Sequence, residues 1–156
     1  MSAALPPRLG PVIMGAVLAA AWWSPGQAVE VLPSPVIVGD EIPSSLTGRP
    51  GDPALGRAVV LDRQLGNCLL CHTLPVSGER FQGNIGPDLA GVAERLTEGQ
   101  IRLRVVDATR VNPDTAMPAY HRVEGLTRVA AEYRGRPVLT ADQVEDVVAF
   151  LRTLKQ

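Results

Sequence analysis

Aromatic side chains are scarce in this chain: Phe, Tyr and Trp make up 4% of 156 residues. Two of the six, Trp22 and Trp23, lie in an apolar N-terminal stretch, leaving Phe81, Tyr120, Tyr133 and Phe150 for the rest. Large rings usually dominate core burial, so a domain this poor in them calls for another filler, and a flat apolar macrocycle would serve. Only two cysteines are present, two residues apart, which excludes a stapling disulfide framework. Net charge is nearly absent too. Fifteen basic groups face sixteen acidic ones, so bulk charge points to neither nucleic acid nor an anionic membrane surface. A second independent core is excluded by length.

No apolar run reaches the roughly 20 residues of a comfortable membrane span. The longest, Val12 to Trp23, follows a lone Arg8 and is closed by Pro25, Gly26 and Ala28. This pattern predicts an export signal over residues 1–28, cleaved after Ala28 or, as second choice, after Ala21; an uncleaved anchor is the alternative. Export implies a periplasmic mature protein without a membrane span, with 14 basic against 16 acidic groups.

Residues 29–53 carry prolines at 33, 35, 43, 50 and 53 and no helical period, predicting an extended arm that either wraps a partner or hangs as a tether. A domain over 54–156 follows. Its first helix should start with Asp52 as N-cap and Pro53 at the first helical position. Leu55, Ala58, Val59 and Leu65 would form its apolar face, ending near Gly66-Asn67. Shorter helices are expected over Asp88–Leu96 and Glu98–Asp107. The strongest helical pattern is the last, with Thr140 and Gln143 forming a capping box and Val144, Val147, Val148, Leu151 and Leu154 on one face. Packing of the two terminal helices should close an all-α domain.

Cys68-Leu69-Leu70-Cys71-His72 is the motif that carries chemistry. Cys-x-x-Cys-His is the pattern of covalent haem c attachment. Two thiols add across the porphyrin vinyl groups, and an imidazole one residue on reaches the iron from the same side. The rivals are a redox dithiol, which wants a strand-rich setting not visible upstream, and a zinc site assembled from Cys68, Cys71, His72 and His121. For the other face of the iron, Met117 and His121 are the available donors. Pro118 holds Met117 out of a helix interior, which favours Met117 on a loop. His121 then reads as a surface or hydrogen-bonding residue. Pro87, in Gly86-Pro87, either presents a carbonyl to the second N–H of His72 or marks an ordinary turn.

Gly66 to Leu154 resembles the class I monohaem cytochromes c. The residues carrying this are Gly66-Asn67 with the Cys motif, Gly83-Asn84-Ile85-Gly86-Pro87, Arg102 to Asp107, Val111-Asn112-Pro113-Asp114-Thr115-Ala116-Met117-Pro118-Ala119-Tyr120, and Leu139-Thr140-Ala141 through Phe150-Leu151. Within that class the chain looks similar to the SoxX family, the small subunits of the SoxAX cytochromes of bacterial thiosulfate oxidation. The resemblance implies thioethers at Cys68 and Cys71, His72 and Met117 as iron ligands, and the Pro87 carbonyl as acceptor for His72. It also implies a SoxA-like partner that joins thiosulfate to a carrier-protein cysteine, with this chain passing the electrons to a soluble cytochrome. A free-standing periplasmic carrier is the alternative. The arm and the segment Pro118 to Leu139 are the expected subunit contacts.

Overall fold

The computed structural model describes residues 34–155; the expected signal and the first part of the arm lie outside the described residues. Four α-helices follow in order: α1 (Pro53–Leu61), α2 (Val92–Arg95), α3 (Glu98–Asp107) and α4 (Ala141–Thr153). Among the described residues there is no strand, only an isolated antiparallel bridge between Val38 and Glu41. The all-α expectation holds.

The sequence-encoded helix starts are where chemistry demands them. The Asp52 carboxylate accepts from Ala54 N at 2.7 Å and Leu55 N at 3.3 Å, with Pro53 occupying a position whose N–H would be unsatisfied anyway. Both α3 and α4 begin with a capping box, Thr97 with Gln100 and Thr140 with Gln143. Two ends differ from expectation. Helix α1 stops at Leu61, because Asp62 turns extended and its carboxylate captures Gln64 N at 2.7 Å, so Leu65 lies in the turn beyond. The helix expected over Asp88–Leu96 shrinks to the single turn of α2: Asp88 holds Ala90 N at 2.8 Å, and Gly91 at φ 64° sits just before Val92.

Helix α4 buries its expected face, Val144, Val147, Val148, Leu151 and Leu154. Helix α1 meets it through a different stripe from the one its sequence suggested. Gly56, Val59 and Val60 are buried, whereas Leu55 and Ala58 face outward. The cause is Gly56, whose missing side chain admits the Asp146 carbonyl of α4; any Cβ there would collide with that backbone. Asp146 also receives Asp52 N at 2.7 Å and fixes the crossing at its other end.

The described part of the arm serves this chain itself. Ile42 is 1% exposed and its N–H donates to Gly99 O at 3.0 Å. Arg102 and Glu145, 1% and 3% exposed at the side chain, form an ion pair that joins α3 to α4 and reaches the arm. Arg102 donates to Glu145 Oε1 and Oε2 at 2.8 and 2.9 Å and to Ile42 O at 2.8 Å, while Glu145 Oε1 also accepts from Leu46 N at 2.9 Å. From Glu41 to Asp52, then, the arm is docked on its own domain. Val36, Ile37 and Val38 remain exposed.

Candidate haem site

The Cys motif sits at the start of a tight turn, not in a long helix. Asn67 takes a left-handed conformation, φ 48°, which Asn tolerates better than most residues, and its N–H donates to Asp62 O at 2.7 Å. A 3-10 turn over Cys68–Leu70 follows, and Cys71 N and His72 N both donate to Cys68 O, at 3.1 and 2.9 Å. Positions three apart eclipse in such a turn, so Cys68 and Cys71 stack on one side while Leu69 anchors the core from the other.

Beneath this turn lies a cavity of about 690 Å³, within the range of ~300–1,000 Å³ that cofactor sites span. Cys68, Cys71, His72, Met117 and Tyr120 line it, with apolar walls from α3 and α4, among them Val105, Val147 and Leu151. The charged side chains on its lining are Arg95, Arg104 and Asp114.

The loop after the motif folds back under His72. Gly83 N donates to Leu69 O and Gly86 N to Cys71 O, each at 2.8 Å. Gly86 packs on the imidazole so closely that a Cβ would overlap the ring. Pro87 O lies 2.8 Å from His72 Nδ1. A carbonyl only accepts, so Nδ1 carries the proton and Nε2 keeps a free lone pair.

Of the two candidate donors for the opposite face, Met117 is on the cavity lining and His121 is not. His121 is buried, 7% exposed, with Nδ1 2.8 Å from Leu139 O, so its expected hydrogen-bonding role holds and its alternative placement at the surface does not. Met117 lies outside any helix, as Pro118 requires, and its N–H donates to Thr115 Oγ1 at 3.1 Å. Among the described residues no group of three or more His, Cys, Asp or Glu could hold a metal ion, so the four residues of the zinc alternative are not brought together.

The environment of Cys68 does not favour the dithiol alternative. Burial pushes the Cys68 thiol up to about 11, overriding a backbone hydrogen bond that acts the other way. A redox dithiol needs its attacking thiol shifted downward instead.

Sequence reasoning on individual residues missed three contributors. Tyr120 reaches across the cavity and donates its hydroxyl to Gly66 O at 2.8 Å, and burial holds its phenol well above the ordinary value. As one of few aromatics, three residues after Met117, it carried a readable signal. Arg95 and Arg104 carried none, since only the packing of α2 and α3 brings them to the lining.

The residues present suit a haem: an apolar slot, a stacked thiol pair, an imidazole with its outward nitrogen unprotonated, a thioether, and two guanidinium groups on the lining, Arg95 bonded to the Ala90 and Asp88 carbonyls and Arg104 to the Gln100 carbonyl. The family described as Cytochrome c matches residues 53–155. A search of solved structures finds a chain of the SoxXA crystal structure from P. pantotrophus, 40% identical with a TM-score of 0.72, the match covering 78% of this chain and 94% of that one. No curated protein sequence matches.

Proposed function

Because this chain belongs to the cytochrome c family, and within it to the SoxX cytochromes, we propose that it is the electron-accepting subunit of a heterodimeric SoxAX-type L-cysteine S-thiosulfotransferase in the periplasm. The observation that carries the site assignment is the meeting of Cys68, Cys71, His72 and Met117 on one cavity with His121 left outside.

Cys68 and Cys71 would hold the macrocycle as thioethers, and His72 would offer Nε2 to the iron, with the Pro87 carbonyl holding its Nδ1 proton and ring orientation. Met117, on its Pro-flanked loop, would supply the thioether as second iron ligand. When bound, the haem supplies a one-electron couple, which methionine ligation places higher than bis-imidazole ligation would. Val105, Val147 and Leu151 would keep water from the haem, and Arg95 and Arg104 bring positive charge to the lining. Both thiols are consumed and no third exists, so the chain holds no group to carry a sulfur intermediate. Joining thiosulfate to a carrier thiol releases two electrons and a proton, and this subunit takes the electrons singly for a soluble cytochrome acceptor.

Two results test this reading. Met117→Ala should open the iron to exogenous ligands and lower the potential, and His121→Ala should do neither; a bis-imidazole spectrum lost in the His121 variant would reverse the assignment. The haem-loaded chain should also co-elute with a larger SoxA-like cytochrome and join thiosulfate to a thiol only in its presence. Turnover by the chain alone would refute the relay role, and failure to associate with any such subunit would favour the free-standing carrier. Residues 123–138, largely exposed, and the exposed Val36 to Val38 are the proposed contact surface.

A further inference from the structure

We propose that Asp107 and Arg122 form a clamp across the two ends of the Met117 loop and so set how firmly Met117 is held at the iron. This rests on the assignment of Met117 as ligand. The chain leaves α3 at Asp107 and rejoins it at Tyr120 and His121. Between these points, all hydrogen bonds of residues 111–118 stay within residues 108–118: Val111 N and Asn112 N to Ala108 O, Asp114 N to Asn112 Oδ1, Thr115 N to Asn112 O, and Met117 N to Thr115 Oγ1. Among the described residues nothing along 111–118 ties the loop to the rest of the domain by hydrogen bond, so as far as hydrogen bonds go its position is decided at its ends.

Backbone pairing to α3 at the returning end is long, Tyr120 N to Val105 O at 3.3 Å and His121 N to Val106 O at 3.2 Å, the weak end of the hydrogen-bond range, while away from α3 the end is held by the Tyr120 hydroxyl on Gly66 O at 2.8 Å and by Leu139 N on Tyr120 O at 2.9 Å. The side chains there are better placed. Asp107 is 3% exposed and spends both oxygens on this junction. Its Oδ1 accepts from Thr109 Oγ1 at 2.6 Å and Thr109 N at 3.2 Å; its Oδ2 pairs with Arg122 Nη1 at 2.9 Å and Arg110 Nε at 3.3 Å. Arg122 Nη1 also donates to Thr109 Oγ1 at 3.2 Å, closing a three-residue ring across the loop. Arg122 Nε is buried with no acceptor among the described residues, where Asp107 and Thr109 are the compensation its guanidinium has. Removing the Asp107 charge leaves a partly buried cation uncompensated, and the returning end of the loop loosens.

Asp107 and Arg122 are positioning residues, since neither is on the cavity lining. A ligand that binds only when Met117 is off the iron has its apparent affinity scaled down by the fraction of molecules in that state. Optical titration of the ferric, haem-loaded protein with azide therefore reads the clamp directly. Asp107→Asn, which keeps the shape and an acceptor for Thr109, should tighten apparent azide binding roughly tenfold or more and lower the potential, and Arg122→Gln should do the same. The double variant should be no more open than the single ones, since each breaks the same link. Arg110→Gln, whose own side chain is 59% exposed and sits at the longer 3.3 Å distance, should change binding less than about twofold. Met117→Ala sets the ceiling. Azide affinity that rises in Met117→Ala but stays at the unmodified value in both Asp107→Asn and Arg122→Gln would overturn the clamp. No rise in Met117→Ala would instead overturn the ligand assignment beneath it. Arg122 is more exposed than Asp107, so its variant keeps the test available should Asp107→Asn fail to fold.

Discussion

Replacing Cys68 and Cys71 together by alanine should release the haem: acid-acetone extraction, which leaves the colour with the unmodified polypeptide, should move all of it to the solvent. The effect should extend to folding. The cavity of about 690 Å³ reaches the apolar faces of both α3 and α4, so a haem seated there would fill the centre of the domain. At ~24 cal/mol per Å³ of unfilled core, even a third of that space left dry would cost about 5 kcal/mol, comparable with the ~5–15 kcal/mol that stabilises a domain. Circular dichroism of the double variant stripped of haem should show loss of cooperative thermal unfolding. Colour fully extracted from the unmodified protein would contradict covalent attachment. A cooperative, native-like melt of the haem-free variant would contradict the haem as core filler.

The second large effect is expected at the buried pair Arg102 and Glu145. Arg102→Met leaves Glu145 charged and enclosed, with Leu46 N as its neutral donor; Glu145→Gln leaves the Arg102 guanidinium facing Glu98 at 2.5 Å, a carboxylate 59% exposed. Breaking one side of a buried pair costs about 3–5 kcal/mol, because the survivor is desolvated without compensation. Each single variant should lower the midpoint of chemical denaturation accordingly and the Tm by more than about 10 °C. Arg102→Met with Glu145→Leu should cost much less than the two singles added together, since both charges are then gone. Limited proteolysis should cut the arm near Ile42 in the single variants, because Arg102 and Glu145 bind it at Ile42 O and Leu46 N. Additive losses in the double variant would show that the pair is not coupled.

Different kinds of information were readable to different depths. Helix starts were legible because a cap is local: Asp52, Thr97 and Thr140 bond to backbone two or three residues on, whatever the rest of the chain does. The face of α4 was legible because its apolar stripe has a single period. The face of α1 was misread, since Leu55 and Ala58 fit the period as well as Val60 does; only the Gly56 crossing, a contact with a residue 90 positions away, selects the buried side. The arm was ambiguous for the same reason. A partner-wrapping segment and a loose tether share their composition with one docked on its own domain, and the bonds from Arg102 and Glu145 that dock it come from distant helices.

The sequence by itself determined the chemistry: spacing alone ties two thiols and an imidazole to one turn, and Pro118 keeps Met117 off a helix, because both are constraints within a few covalent bonds. Tertiary structure decided which groups share the cavity. It put Met117 on the lining and turned His121 to Leu139 O, aimed the Pro87 carbonyl at His72, and brought Arg104, Tyr120 and the Asp107–Arg122 junction into place. Those outcomes depend on where helices cross and loops return, which is fixed by close packing between residues far apart in the chain and leaves no local pattern to read.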